Sequence, residues 1–276
     1  MLDLNFLNKH IIRTIDKNHI SELNNFLKET MYCQFTDSKK EYPEGVYNHE
    51  FNSAGYRCDE FTNIHEEKHI VFMGCSETQG CNQGLDETWA YILYNKILEK
   101  EKLSGYFNIA VIGDSILRQV FNLFNYIEKY GKPKEIYFLA PDALRTIFYA
   151  TKNFTFVPHN LDYPRPGEHF EKSELLNAFF QNVLHLKSLE MFCKNSHIKL
   201  IWSTWSEVYE DIFENLGFKN FFSLDMKNID DYIIRNYDKY ANLNKSLQYN
   251  LKKSDGHRGL VFHRYWAEKF YENRQK

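Results

Sequence analysis

The sequence predicts an α/β chain folded as a three-layer α/β/α sandwich on a mostly parallel sheet, and two observations carry that expectation. From residue 68 onward, short apolar runs of strand length alternate with segments whose apolar residues recur at spacings of three and four, the pattern of parallel strands covered by helices on both faces. A chain of 276 residues, 43% hydrophobic and 26% charged, can bury one substantial core but would be cramped as two full domains.

Residues 1–64 show no strong strand period and read as an N-terminal extension packing on the core, with a helix expected over 20–30 and a turn at Tyr42-Pro-Glu-Gly-Val46. Residues 65–276 form the α/β/α domain. Its strands are expected at 69–73, 106–111, 135–139 and 199–203. Amphipathic helices are expected at 88–102, 116–129, 172–194 and 261–273. Residues 151–167 contain Pro158, Pro164 and Pro166, so that stretch reads as a loop over the C-terminal ends of the strands, where such folds bind ligands.

Composition narrows the partners. A formal charge of -3 with Lys and Glu interspersed gives no basic face for phosphates, so nucleic acid is not expected. The five cysteines, Cys33, Cys58, Cys75, Cys81 and Cys193, lack metal-type spacing and read as free thiols of a reducing compartment. The start Met-Leu-Asp-Leu-Asn-Phe has an early acid and no long apolar run, which predicts a cytoplasmic chain with no membrane partner. Asn153 and Asn244 begin Asn-x-Ser/Thr triplets, which carry no meaning for glycosylation there.

Two stretches point to chemistry. In His69-Ile-Val-Phe-Met-Gly-Cys-Ser-Glu-Thr-Gln-Gly80, Ser76 follows a buried-type strand and a glycine, which puts it at the strand's C-terminal edge. Free backbone N–H groups there can stabilise a developing oxyanion, although an ordinary Ser cap fits the same turn. Near the other end, Asp255 and His257 precede the last helix. A serine hydroxyl needs an imidazole to take its proton, and the imidazole needs an acid to orient it, which are the roles these two residues can fill. The alternative there is a solvated turn with a helix-capping aspartate. His263 lies inside the helix pattern and reads as structural.

Together these stretches resemble the SGNH (GDSL-like) hydrolases. Gly74-Cys-Ser-Glu-Thr-Gln-Gly80 with Gly84-Leu-Asp-Glu-Thr-Trp89 is similar to block I of that family in its Gly-Cys-Ser variant. Phe107-Asn-Ile-Ala-Val-Ile-Gly-Asp-Ser115 resembles block II, whose oxyanion glycine would be Gly113. Asp255-Gly-His-Arg-Gly259, with His263 and Trp266, resembles block V. Phe51-Asn-Ser-Ala-Gly-Tyr-Arg57 is similar to a segment that often precedes block I. The resemblance touches residues 51–270 and implies a flavodoxin-like sandwich and an acyl-serine route that needs no metal or cofactor. In it Ser76 is the nucleophile, His257 the base and Asp255 the acid, with the Ser76 and Gly113 N–H groups binding the oxyanion.

Two departures stand out. Block III offers an asparagine side chain as a further oxyanion donor, whereas Phe138-Leu-Ala-Pro-Asp-Ala-Leu-Arg145 puts Asp142 at the matching strand end. An ionised carboxylate cannot donate a hydrogen bond, and Arg145 would compensate if it pointed inward. In block V two residues usually separate Asp from His, but here only Gly256 does.

His65-Glu-Glu-Lys-His69 spells a zinc-protease pattern, but its second histidine runs straight into a strand, so no metal is expected. Cys75 reads as a small buried thiol. Trp202 and Trp205, in Ile201-Trp-Ser-Thr-Trp205, lie at a strand end where a substrate's sugar or acyl group could pack, although aromatic core filling fits them equally; Arg145 is a separate substrate-binding candidate. The expected activity is hydrolysis of a small-molecule or glycan ester, such as an O-acetyl. An O-acyltransferase, or an SGNH-fold binding or assembly protein that has lost turnover, is the alternative.

Overall fold

The computed structural model describes residues 41–42, 45–46, 50–61, 69–81, 83–150, 155–160, 171–236 and 257–276. The expected helix at 20–30 and the catalytic candidate Asp255 lie outside them. A short antiparallel pair, β1 (Glu41–Tyr42) and β2 (Gly45–Val46), comes first. The core sheet is made of β3 (Ile70–Gly74), β4 (Phe107–Asn108), β5 (Glu135–Ala140) and β8 (Lys199–Thr204). Its order is β4-β3-β5-β8 and all its pairings are parallel, with Val71 opposite Phe107, Gly74 opposite Leu139 and Ala140 opposite Thr204. A parallel bridge from Trp202 to Phe221 continues the sheet beyond β8.

Every residue of β3 is buried, which explains why the strand reads as an unbroken apolar run. Its alternating side chains feed two cores. Val71, Met73, Ile136, Phe138 and Trp202 face one side, where α3 (Ile116–Tyr130), α4 (Lys172–Asn195) and α5 (Glu207–Asn215) pack on them. Ile70, Phe72, Tyr137, Leu139 and Ile201 face the other, under α2 (Trp89–Leu98), α6 (Ile229–Arg235) and α7 (Leu260–Arg274). The chain is therefore a three-layer α/β/α sandwich. In the second layer Trp89 stacks on Phe270 with ring centres 4.5 Å apart, so α2 and α7 lock together. Truncating Phe270 would cost about 3–5 kcal/mol.

The strand order decides where a ligand can sit. From β3 the chain crosses to β4 on one side and then to β5 on the other, so the crevice of a topological switch point opens at the C-terminal end of β3. The opposite edge is closed by ion pairs: Arg274 Nε meets Glu135 Oε2 at 2.7 Å, and its Nη2 meets Glu101 Oε1 at 2.6 Å.

Three expectations are corrected. The strand expected over 106–111 is only Phe107–Asn108: beyond it the Asn108 side chain accepts the Ala110 N–H at 3.0 Å, although the Ile109 and Val111 N–H groups still reach the Phe72 and Gly74 carbonyls. The stretch expected to loop over the sheet contains a strand, β7 (Thr155–Asn160), paired antiparallel with β6 (Arg145–Ala150). Pro158 is tolerated because a strand with a single neighbour can turn its missing N–H outward. The helix expected to begin at residue 88 begins at Trp89, with the Thr88 hydroxyl capping it by accepting from the Tyr91 N–H.

Candidate active site

Ser76 leaves the end of β3 and opens α1 (Ser76–Gln79). Gly74 makes the abrupt turn possible: its φ is +154°, and a Cβ there would lie 2.0 Å from Thr78 Oγ1 and 2.8 Å from the Leu139 carbonyl. The turn is tied down from all sides. Gln119 Oε1 accepts the Gly74 N–H at 3.0 Å, and Asn108 Nδ2 donates to the Thr78 carbonyl at 2.9 Å. Arg57, 2% exposed, donates from Nη1 to the Gly80 carbonyl at 2.6 Å and from Nη2 to the Gln83 carbonyl at 2.7 Å. Through Arg57, residues 51–57 thus anchor the loop that carries Ser76.

Ser76 itself is 6% exposed, and its hydroxyl lies 3.9 Å from Cys75 Sγ, a weak contact that leaves the oxygen available. Cys75 is buried and free. The N–H groups of Thr78, Gln79 and Asp114 bond to backbone carbonyls, whereas those of Ser76 and Gly113 have no acceptor among the described residues. Gly113 adopts φ +72° beyond β4, with open space where a Cβ would stand, so glycine is needed there for its backbone conformation.

Asp114, next to Gly113, is wholly buried. Burial pushes its carboxyl up to about 6, against the opposing pull of Arg118, Gln119, the Ser115 N–H and Arg145. Gln119 Nε2 donates to Asp114 Oδ2, the Ser115 N–H donates to Oδ1 at 3.1 Å, and Arg118 Nε stands 3.5 Å from Oδ1. Asp114 and Gln119 therefore form one chain of hydrogen bonds that ties the turn after Gly113 to Gly74, two residues before Ser76.

His257 is half-buried, three residues before α7. The residue after it is fastened to the Ser76 loop: Glu77 Oε1 accepts the Arg258 N–H at 3.3 Å, and Gln83 Nε2 donates to the Arg258 carbonyl at 2.7 Å. Glu77 also faces His263, with 3.6 Å between Oε2 and Nε2. Since His263 Nδ1 accepts the Trp89 N–H at 3.0 Å, its ring is neutral with the proton on Nε2, toward Glu77. His263 thus bolts α7 to α2.

Asp142 and Arg145 lie just past β5, and Trp205 just past β8. Asp142 Oδ1 accepts the Leu144 N–H at 2.9 Å, so the carboxylate shapes the turn into β6. Arg145 opens a strand, is half-buried, and holds its guanidinium carbon 5.6 Å from the centre of the Trp205 ring. Arg145 and Trp205, separate candidates from sequence, are neighbours in space.

His69 is packed edge-on against Phe107 immediately before β3, not on a helix, and its partners in the zinc-like pattern, residues 65–68, lie outside the described residues. Among the described residues no cluster has the makings of a metal site, and no helix is long and apolar enough to cross a membrane. Sequence reasoning did not single out Glu77, Gln83, Asn108, Asp114 or Gln119. Glu77, Gln83 and Asp114 stand in polar stretches that follow apolar strands, as in any solvated loop, while Asn108 lies inside a strand and Gln119 inside a helix, where nothing in the pattern marks them.

No protein-family model matches the chain, and neither does any curated protein. Among solved structures it is similar to an acetyl xylan esterase, at 14% identity and a TM-score of 0.43, over 74% of this chain and 98% of the other. It is also similar to a psychrotrophic esterase from Pseudoalteromonas sp., at 11% identity and a TM-score of 0.41, over 76% and 97%. A member of the lipolytic G-D-S-L family from Veillonella parvula aligns at 11% identity and a TM-score of 0.36, over 74% and 97%.

Proposed function

We propose that this chain is a serine ester hydrolase acting through an acyl-serine intermediate. The observation that carries this reading is the convergence at the switch point. Ser76 and Gly113 leave adjacent strands with N–H groups lacking acceptors among the described residues, and Glu77 and Gln83 tie the residue after His257 to the same loop.

In this mechanism Ser76 Oγ attacks the ester carbonyl while the His257 imidazole takes its proton. The oxyanion of the tetrahedral intermediate is held by the Ser76 and Gly113 N–H groups. The alcohol leaves with the proton from His257, and water, deprotonated by the same ring, releases the acid from Ser76. Asp255 orients the imidazole. The sequence resemblance favours an O-acetyl on a glycan as the ester, with hydrolysis rather than transfer as the second half-reaction.

p-Nitrophenyl acetate tests the reading. Ser76→Ala should lose at least on the order of a thousandfold in kcat/KM, and a fluorophosphonate should label the wild type at Ser76 only. Equal rates for the two proteins would remove the serine mechanism. A second reading, a binding protein that keeps the crevice without turnover, is favoured by Asp142, which in the sequence takes the place of the family's donor asparagine and whose carboxylate accepts the Leu144 N–H. It predicts no release and no labelling by either protein.

A further inference from the structure

A second set of polar groups at the same edge takes no part in the acyl chemistry. Arg145 Nη1 and the Trp205 indole Nε1 are both shielded from solvent, and neither has a hydrogen-bond acceptor among the described residues. Buried donors are ordinarily matched, so two unmatched ones side by side at a ligand-binding edge call for an explanation. The arginine is not idle slack. Its N–H donates to the Asp142 carbonyl at 3.1 Å, its carbonyl accepts from Asn182 Nδ2 at 3.0 Å, and its guanidinium lies by the Trp205 ring. Its charge cannot be removed by deprotonation.

The carboxylates nearby are engaged elsewhere. Asp142 Oδ1 is bonded to the Leu144 N–H, and Asp114 is bound by Gln119, the Ser115 N–H and Arg118. Among the described residues, none forms an ion pair with Arg145. The guanidinium's field nevertheless reaches Asp114, beside the oxyanion glycine, so the two features share one neighbourhood.

We infer that Arg145, backed by Trp205, receives an anionic group, a carboxylate or a phosphate, carried on the same molecule as the ester. This rests on reading Ser76 as the site of ester chemistry. It turns a general esterase into one selective for acidic substrates. An anion there would accept from the guanidinium in a charge-assisted bond, and the aromatic face beneath it would suit a flat or sugar-like scaffold.

The test uses full-length Ser76→Ala protein, so that esters survive, and three O-acetylated hexoses that differ only at C6: carboxylate, phosphate or hydroxyl. Calorimetry should show at least one charged sugar binding about tenfold or more tightly than the neutral one. Which of the two it is names the source of the anion. Adding Arg145→Gln should erase the preference, and Arg145→Lys should keep part of it. Equal affinities for all three, no binding of any at millimolar concentration, or a preference that survives Arg145→Gln would overturn the inference. Ser76-dependent turnover of neutral p-nitrophenyl acetate reads the esterase separately, so each idea can fail without the other.

Discussion

Replacing Asp114 by Asn removes a wholly buried carboxyl beside Gly113, and its effect on stability can be worked out with its sign. The ordinary value for such a carboxyl is 3.8, and burial raises it to about 6 in the fold. Between those values the native state holds a proton that the unfolded chain has lost, so stability falls as pH rises from about 4 to about 6 and is level on either side. At roughly 1.4 kcal/mol per pKa unit, the window is worth about 3 kcal/mol. Asn cannot ionise, so the variant should lack this fall. It carries its own constant offset, because its NH2 meets the Gln119 Nε2 donor that the carboxylate accepts. Urea denaturation of both proteins, followed by tryptophan fluorescence at half-unit steps of pH, gives the difference directly. Wild type should lose about 3 kcal/mol relative to the variant between pH 4 and pH 7. A difference that stays flat within about 0.5 kcal/mol would refute the claim that burial governs this carboxyl.

The neighbouring anchors give further expectations. Glu77→Ala should lower kcat of p-nitrophenyl acetate hydrolysis about tenfold with little change in KM, because it frees the segment bearing His257, and Glu77→Gln should restore part of the loss through the Arg258 N–H. Steady-state kinetics of the two variants decides it, and equal loss in both would point to charge instead of positioning. Arg57→Met should destabilise by about 3 kcal/mol, since carbonyls of Gly80 and Gln83 lose a buried donor, and urea midpoints report it. Gly74→Ala should cost more than about 3 kcal/mol or abolish folding, given a Cβ 2.0 Å from Thr78 Oγ1. A melting temperature within a few degrees of wild type would show that the turn can relax.

Much of the frame was legible because burial is written locally. The all-buried β3 reads as an unbroken apolar run, and the turn glycine and Ser76 follow at once. The helices at 116–129, 172–194 and 261–273 lie within one or two residues of α3, α4 and α7, because their apolar stripes face a single layer. What escaped was set by pairing across the chain. β7 carries a proline and takes its strand conformation from its pairing with β6.

The sequence by itself determined the sandwich, the serine after the first core strand and the chain order of the block-like motifs, because each depends on spacing within a few residues. Only the tertiary structure decided which polar side chains hold the site together. Glu77 reaches Arg258 across 181 positions, and Gln119 reaches Gly74 across 45. A glutamate or glutamine gives no sign in sequence of the distant N–H it will accept; the strand order that brings two loops to one sheet edge supplies the partner.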